Sequence, residues 1–388
     1  MSSIMSFLKK PFIRNYANYG IIALIMIVFG ALSSGGALKM GDMFLLEQIS
    51  IAALLAVSLG MVVGFLGELS LGHAGFMCVG AFLGGKVAQA MVSAMGGDAN
   101  NLFVLMVSVL CGGLTAALFG FIIGLPALRL RGDYLAIVTL AFGEIVRSVI
   151  MNLPVEWFGG TLGLETPRFD RKYLFLVAFL ALLACLAVTQ NLMRSKHGRA
   201  IISIKDNEIA ARATGIDITK YKLFVFTISA FFAGVAGVLY SYTQSRVQSA
   251  TFDYNYSIEI LVMVVLGGMG SINGSILSAA LITFINVKLQ TTLTGDMAVL
   301  KNMIYSLILI AIIIYRNAPG LKGFREKYNA RALADLIKRS LEKKKVAADE
   351  SVEQKTEVPA EEGVKTEADA TSDEGVKEEV AVADGKED

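Results

Sequence analysis

The hydrophobic positions of this chain form long continuous runs instead of alternating with polar positions. A helix needs about 20 mainly apolar residues to cross a membrane, whereas a β-barrel shows alternation. The runs cover roughly residues 18–36, 44–66, 73–95, 101–127, 134–153, 172–193, 223–243, 257–275, 276–294 and 301–316. The pattern therefore predicts an all-α polytopic membrane protein with about ten transmembrane helices.

Two segments rich in glycine and serine interrupt the runs, GELSLGHAGF at 67–76 and LGGMGSINGSIL at 266–277. At membrane depth, non-helical backbone is tolerated where it lines a cavity or packs within protein, and interrupted helices often form a transport path. We therefore expect some helices to be broken or re-entrant. Close helix packing through small residues is the alternative. The candidate path residues are Ser70, Gly72, His73, Gly267, Gly268, Gly270 and Ser271.

Basic residues predict the orientation, because short cytoplasmic loops carry an excess of Lys and Arg. Seven basic residues lie between 194 and 222 and ten between 316 and 345. With ten spans both segments fall on the same side, so both termini are predicted to be cytoplasmic. Two arginines in the exported loop 154–171 weaken this assignment. The first run resembles a signal peptide, but cleavage at 33–37 would leave another span directly behind it, so we expect it to stay uncleaved.

Composition agrees with this class and divides the chain into segments. The mean hydropathy is +0.61, only 18% of the residues are charged, and the last 40 residues contain fifteen Asp and Glu. We expect a cytoplasmic segment at 1–17, a transmembrane domain at 18–316 and a basic, partly amphipathic segment at 317–348 that contacts membrane lipid. The acidic tail at 349–388 is predicted to be disordered, because it cannot bury enough apolar surface to offset its ordering entropy.

Two sequence patterns could indicate a nucleotide site and a cysteine-based site, but both lack the context that such a site needs. GAFLGGK at 80–86 matches the start of a phosphate-binding loop, but Val87 stands where Ser or Thr would bind magnesium, and the segment lies within an apolar run. Cys78, Cys111 and Cys185 lie in apolar runs without CxxC spacing, so neither a disulfide nor a metal site is expected. The chain is predicted to have no catalytic residue, no cofactor of its own and no nucleic-acid partner. It is therefore expected not to be an enzyme.

Ionisable residues within the runs call for partners, since a charge at the bilayer centre costs at least about 2.5–3.5 kcal/mol. Glu144 and Arg147 are spaced i, i+3 and are predicted to form an intramembrane ion pair, with a role in gating as the alternative. Glu47 and Lys301 lie near run ends, where their charges can reach water. Three others are expected to face the bundle interior or a partner subunit: Lys86, Glu259 and Lys288.

The segment 194–222 carries many charges between two apolar runs. Apolar residues recur there at helical spacing, at Ile201, Ile204, Ile209 and Ala213. This predicts a short amphipathic helix between Gly198 and Gly215 with an apolar stripe and a charged face. The charged face contains Lys205, Asp206, Glu208 and Arg212. Such a helix suits a groove on another protein, and a solvated loop is the alternative.

Five segments of the chain resemble the M-type permease subunit of branched-chain amino acid ABC importers. They are SLGHAGF at 70–76, LRLRGDYLAIVTLAFGEIVR at 128–147, GGTLGL at 159–164, GRAIISIKDNEIAARATGIDITKYKLFVFTISAFFAGVAGVLYS at 198–241 and VVLGGMGSINGSILSAAL at 264–281. The resemblance covers roughly 44–316 in order, and the acidic tail lies outside it.

The resemblance implies a permease subunit in the cell membrane that forms the translocation path for leucine, isoleucine and valine. It also implies an H-type paralogue as heterodimer partner, two cytoplasmic ATPase subunits that carry ATP and magnesium, and an extracytoplasmic substrate-binding protein. The segment around 207–215 resembles the coupling helix that docks on an ATPase. The candidate coupling residues are Gly198, Arg199, Asp206, Asn207, Glu208, Ala211 and Gly215.

Three alternatives stay open at this point. A related permease could carry another amino acid, urea, a short amide or a nucleoside. An ion-coupled secondary transporter would need no ATPase, although no paired acidic proton relay is evident in the runs. A membrane scaffold or receptor would place the function in the acidic tail.

Overall fold

A computed structural model describes residues 39–95, 100–130 and 132–292, with further isolated positions between 20 and 32 and between 303 and 314. The predicted segments 1–17, 317–348 and 349–388 lie outside the described residues, and Lys301 does as well. The predictions made for them stay predictions.

The described chain is almost entirely helical. Its helices are α1 (Met40–Gly60), α2 (His73–Ala94), α3 (Leu102–Ala127), α4 (Asp133–Asn152), α5 (Val155–Phe158), α6 (Arg171–Arg194), α7 (Lys196–Asp206), α8 (Glu208–Ala213), α9 (Ile218–Thr243), α10 (Tyr254–Gly267) and α11 (Ile272–Thr292). Single 3-10 turns occupy Gly160–Leu162 and Ser249–Thr251. The helix α1 continues through a π-helical turn, Met61–Leu66.

Seven of the described helices are long and apolar enough to cross a membrane. They are α1 with its π-helical turn, α2, α3, α4, α6 from Tyr173 onward, α9 and α11. The predicted class, an all-α multi-pass membrane protein, is confirmed. The predicted number of ten helices is not tested, because the first and last runs are only partly described.

One predicted boundary is wrong. The runs were predicted at 257–275 and 276–294. In their place the structure has the 14-residue helix α10, which ends at Gly267, and the helix α11, which begins at Ile272. The chain leaves the helical conformation at Gly268 and Gly270, whose φ angles are 95° and 86°. The gap lies within the break predicted at 266–277, so only the boundary between the two runs was placed too late.

The helices α1 and α9 form the centre of the bundle. α1 packs against α6, α9, α10 and α11, and α9 also packs against α2 and α3. Within its apolar window, 89% of α1 is buried, against 33% of α3 and 28% of α11. The last two helices therefore lie at the periphery of the chain.

Small residues allow α2, α3 and α9 to approach closely, as expected where helices pack by van der Waals contact in lipid. A Cβ atom added to Gly80 would lie 2.2 Å from the carbonyl oxygen of Gly234, and one added to Gly237 would lie 2.0 Å from that of Met77. The segment 80–86 is thus a helix-packing segment inside α2. It does not have the strand–loop–helix geometry of a phosphate-binding loop.

A small antiparallel pair of strands, which the sequence did not predict, joins two loops at one end of the bundle. β1 (Leu164–Glu165) pairs with β2 (Arg246–Val247), and Arg246 forms an ion pair with Glu165. The hydroxyl of Thr166 donates a hydrogen bond to the carbonyl of Ser241 at 2.7 Å. These contacts tie the loop before α6 to the end of α9.

Candidate translocation and coupling site

The first predicted break separates α1 from α2 at residues 67–72. Gly67 follows the π-helical turn with a φ of 81°, a conformation that glycine adopts at little cost. The freed backbone is held by α4: Leu71 N–H donates to Thr139 Oγ1 at 3.0 Å. A Cβ atom on Gly72 would lie 2.8 Å from the carbonyl oxygen of Thr139, so only glycine permits this approach.

Ser70 and His73, both predicted path residues, are buried at this break. The Nε2 atom of His73 lies 3.1 Å from Ser58 Oγ and 3.4 Å from Ser229 Oγ, on α1 and α9. Among the described residues, Ser70 Oγ and His73 Nδ1 have no hydrogen-bond partner. With exposed fractions of 0% and 2%, they can meet a solute only after the surrounding helices separate.

The second break, at 268–271, meets the π-helical turn that leads from α1 into the first break. A Cβ atom on Gly64, in the π-helical turn, would lie 2.6 Å from the backbone nitrogen of Gly270. Gly267 is buried against the first turns of α11, whereas Gly270 and Ser271 are exposed. The structure therefore brings together the two interruptions that the sequence placed about 200 residues apart.

The segment 194–222 differs from its prediction in one respect: it contains two short helices instead of one. α7 and α8 meet at Asn207, which has an extended conformation with φ −158° and ψ 104°. The side chain of Asn207 caps α8 by accepting from the N–H groups of Ile209 and Ala210, both at 3.0 Å. A capping asparagine competes with helix continuation, which explains why one predicted helix became two.

Of the two glycines predicted to bracket the helix, Gly215 lies just past the end of α8, but Gly198 lies inside α7, which begins at Lys196. A Cβ atom on Gly198 would lie 2.4 Å from the carbonyl oxygens of Leu192 and Met193, at the turn from α6 into α7. Gly215 ends α8 with a φ of 87°. Asp217 caps α9 by accepting from Lys220 N–H at 3.2 Å.

The predicted apolar stripe is only half correct. Ile201 and Ile204 of α7 are buried, but Ile209 of α8 is 79% exposed and Ala213 is exposed as well. The extended residue between the two helices breaks their common helical phase, so the second half of the stripe faces outward. Of the other coupling candidates, Arg199, Asp206 and Asn207 are exposed, Glu208 is half-buried and Ala211 is buried.

Lys205 links α7 to the first break. Its ammonium group donates a hydrogen bond to the backbone carbonyl of Gly64 at 2.6 Å. Its aliphatic stem covers Gly67, since a Cβ atom there would lie 2.8 Å from Lys205 Cγ. Lys205 is exposed, as predicted for the charged face, but its ammonium group is bonded to the helix bundle. Gly64 lies in the π-helical turn that follows α1, so the bond connects α7 to that turn.

A second link was missed by the sequence reasoning. Lys222, at the start of α9, forms an ion pair with Glu68 in the first break and lies 3.5 Å from Glu208 of α8. The side chain of Lys222 is 4% exposed, that of Glu68 13% and that of Glu208 25%. Glu208 also contacts Arg212 at 3.3 Å. The only signal in the sequence was that Glu68 and Lys222 are charges beside apolar runs.

The remaining ionisable residues show mixed outcomes. Glu144 and Arg147 form the predicted ion pair, with Arg147 Nε donating to Glu144 Oε2 at 2.9 Å. Glu47 does not reach water: it is 0% exposed, and neither carboxylate oxygen has a hydrogen-bond partner among the described residues. Its position about two turns into α1, packed against neighbouring helices, leaves no route to the surface.

Comparisons with known proteins agree with this architecture. The family described as branched-chain amino acid transport system permease component matches residues 43–313. The high-affinity branched-chain amino acid transport system permease protein LivM of Salmonella typhimurium is 37% identical, covering 62% of this chain and 62% of the relative. LivM of Escherichia coli is 38% identical, covering 59% of each chain. The probable branched-chain amino acid transport permease protein LivM of Methanocaldococcus jannaschii is 26% identical, covering 68% of this chain and 88% of the relative.

The alignments thus span 62% and 59% of the two bacterial relatives. No solved structure matches the chain significantly. The family match nevertheless extends from Met43, near the start of α1, past the end of α11 and includes both breaks. The chain belongs to the family of branched-chain amino acid transport system permease components.

Proposed function

We propose that the chain is the M-type permease subunit of an ATP-driven importer of leucine, isoleucine and valine. Family membership and the names of the three relatives, all branched-chain amino acid permeases, support this substrate class. The excess of basic residues in 194–222 supports a cytoplasmic position for that segment, and hence cytoplasmic termini in the cell membrane. The chain would then form part of a path and carry out no covalent chemistry.

The observation that carries the proposal is the position of α7 and α8. Ile209 is exposed at the surface of the chain, while Lys205 of the same segment is bonded to Gly64 at the break. A partner that docks on Ile209 and moves would therefore displace the backbone where the two broken helices meet. This is the arrangement expected of an element that transmits motion from an ATPase to a transport path.

The proposed partners follow from this geometry and from the family. Two cytoplasmic ATPase subunits, which hold ATP and magnesium, would dock at α8 and its counterpart on the second permease. The H-type paralogue would pack against the peripheral helices of this chain, of which α11 is only 28% buried in its apolar window. A substrate-binding protein would dock on the opposite side, near β1 and β2. Membrane lipid would cover the rest.

Alternating access explains why the break is closed in this structure. Ser70 and His73 are buried, so this conformation does not expose them to a solute. Closure of the ATPases on α8 would pull on Gly64 through Lys205 and on Glu68 through Lys222. Because both contacts lie at one end of α1, a small shift there separates α1 from α2 and α10.

The test is reconstitution. The chain in proteoliposomes with the second permease, the ATPases and the binding protein is expected to accumulate radiolabelled leucine when ATP is enclosed with the ATPases. The purified chain alone is expected to hydrolyse no ATP. ATP hydrolysis by the chain alone that Lys86→Ala abolishes would contradict the proposal. Uptake driven by an ion gradient without ATPases would favour a secondary transporter.

A further inference from the structure

A polar cavity of about 340 Å³ lies between α1, α9, α10 and α11, apart from both breaks. Its size falls within the range of about 300–1,000 Å³ that is typical of small-molecule sites. Nine of its thirteen lining residues carry polar side chains. This composition is unusual for a cavity formed by apolar spanning helices.

The cavity lies in the half of the bundle opposite to the coupling segment. The C-terminal end of α1 contacts α7 through Gly64 and Lys205, whereas Gln48 of the cavity lies near its N-terminal end. Gln48 is about 12 Å from the start of a helix that is about 40 Å long, at 1.5 Å per residue. Gln244 follows the end of α9, whose other end leaves the coupling segment. The cavity therefore begins below the surface on the proposed extracytoplasmic side.

Among the described residues, Glu259 is the only acidic or basic side chain that lines the cavity. Its Oε1 accepts a hydrogen bond from Asn286 Nδ2 at 3.1 Å and another from Tyr305 Oη at 2.6 Å. Both bonds go to the same carboxylate oxygen. A half-buried carboxylate at membrane depth calls for a functional explanation, because its desolvation is costly.

The remaining polar groups are amides and hydroxyls. Gln48 and Gln244 each carry an NH₂ group that can donate to an anion, and Met263 and Val287 supply apolar wall. Together with Glu259 they provide an acceptor for a cation, donors for a carboxylate and an apolar surface. A free aliphatic amino acid carries all three complementary groups.

We propose that this cavity is a binding site for the transported amino acid, in which the carboxylate of Glu259 receives the α-ammonium group. This inference rests on the proposed transport function and names the residues that recognise the solute. It also assigns the cavity a place in the path: the solute is held here before the closed break at 67–72. The amide donors then contact the α-carboxylate, and the side chain lies against the apolar wall.

The experiment uses the full transporter, with the second permease and the ATPases, in nanodiscs without binding protein. Gln290→Cys places a thiol in the exposed part of the cavity, and Cys111→Ser removes the half-buried native thiol. The rate of maleimide labelling is measured with and without added solute. Leucine is expected to slow labelling. Isoamylamine, which keeps the ammonium group, is expected to slow it too, while 4-methylpentanoate, which lacks that group, is expected to have no effect.

Glu259→Gln is expected to raise the leucine concentration needed for protection by about tenfold or more, the cost of a hydrogen bond to a charged group. Glu47→Gln is the matched control: it makes the same change on a helix that lines the cavity, at a side chain that does not line it. Protection should persist in this control. Equal protection by 4-methylpentanoate, or unchanged protection in Glu259→Gln, would overturn the inference.

Uptake measured on the same preparation, with binding protein added, separates the two proposals. Normal ATP-driven uptake by the Gln290→Cys transporter without any protection by leucine would overturn the binding site alone. Protection without ATP-driven uptake would overturn the transport mechanism and keep the binding site. If Glu259→Gln does not reach the membrane, the comparison of the three solutes on the Gln290→Cys transporter still tests whether the cavity recognises the ammonium group.

Discussion

The ammonium group of Lys205 donates a hydrogen bond to the backbone carbonyl of Gly64 at 2.6 Å, across 141 positions of sequence. Lys205 belongs to a surface helix, and Gly64 belongs to the turn at which the central helix α1 ends. The acceptor is a main-chain atom, so the bond holds the backbone and not only a side chain. A displacement of α7 would therefore shift the backbone at Gly64, which contacts Gly270 of the second break.

Lys205→Met keeps most of the aliphatic stem that covers Gly67 but removes the donor. A hydrogen bond to a charged group contributes about 1.5–3 kcal/mol, so we expect leucine uptake to fall about tenfold or more while ATP hydrolysis continues. Both rates are measured on the reconstituted transporter. Lys220→Met, which removes an exposed lysine at the start of α9, is the control and should transport normally. Equal losses in both variants would contradict a specific link.

Lys222→Met leaves the carboxylates of Glu68 and Glu208 near each other without their shared cation. Removing one partner of a buried ion pair costs about 3–5 kcal/mol, and the 13% exposure of Glu68 points to the lower end of that range. The thermal unfolding midpoint in detergent should fall. The double variant Glu68→Gln with Lys222→Met should recover part of the loss, and a double variant no more stable than the single one would contradict the pairing.

Ile209→Asp tests whether α8 docks on an ATPase. Ile209 is 79% exposed, so an aspartate there should leave the amount of chain in the membrane unchanged. A charge placed in a desolvated contact costs about 2 kcal/mol or more, which predicts at least tenfold weaker co-purification of the ATPase. Ile202→Asp, at a 37% exposed position of α7, is the matched control. Retained association with normal uptake would show that α8 is a solvated helix.

Glu208→Arg tests the contact between α8 and the start of α9. The new cation would lie beside Lys222 instead of pairing with it. We expect both weaker ATPase association and a lower unfolding midpoint. A variant with normal thermal stability would argue against the contact between Glu208 and Lys222.

Gly80→Ala tests the packing role of the segment that resembles a phosphate-binding loop. The added Cβ would lie 2.2 Å from a backbone oxygen, and overpacking of this kind typically costs about 1–3 kcal/mol. We expect less chain in the membrane and a lower unfolding midpoint. Gly143→Ala is the control, because the nearest atom there is 3.7 Å away. Similar stability of the two variants would contradict close packing at Gly80.

The sequence by itself determined the class of the protein and the positions of most helices. Continuous apolar runs require spanning helices because the backbone has no other way to satisfy its polar groups in lipid. The i, i+3 spacing of Glu144 and Arg147 was enough to predict their ion pair, since both residues belong to one helix. The break at 67–72 was likewise visible, because glycine and serine interrupt the apolar pattern locally.

Only the tertiary structure decided what these elements contact. The bond between Lys205 and Gly64, and the cluster of Lys222 with Glu68, join residues 141 and 154 positions apart, and no local pattern encodes such pairs. The same holds for the cavity at Glu259, which four helices form together. The sequence predicted that Glu47 reaches water and that Ile209 belongs to a buried stripe, but Glu47 is buried and Ile209 is exposed. Hydropathy describes each residue alone and not the neighbours that cover it. Spacing along one helix sets which residues share a face, but the packing of helices sets which faces meet.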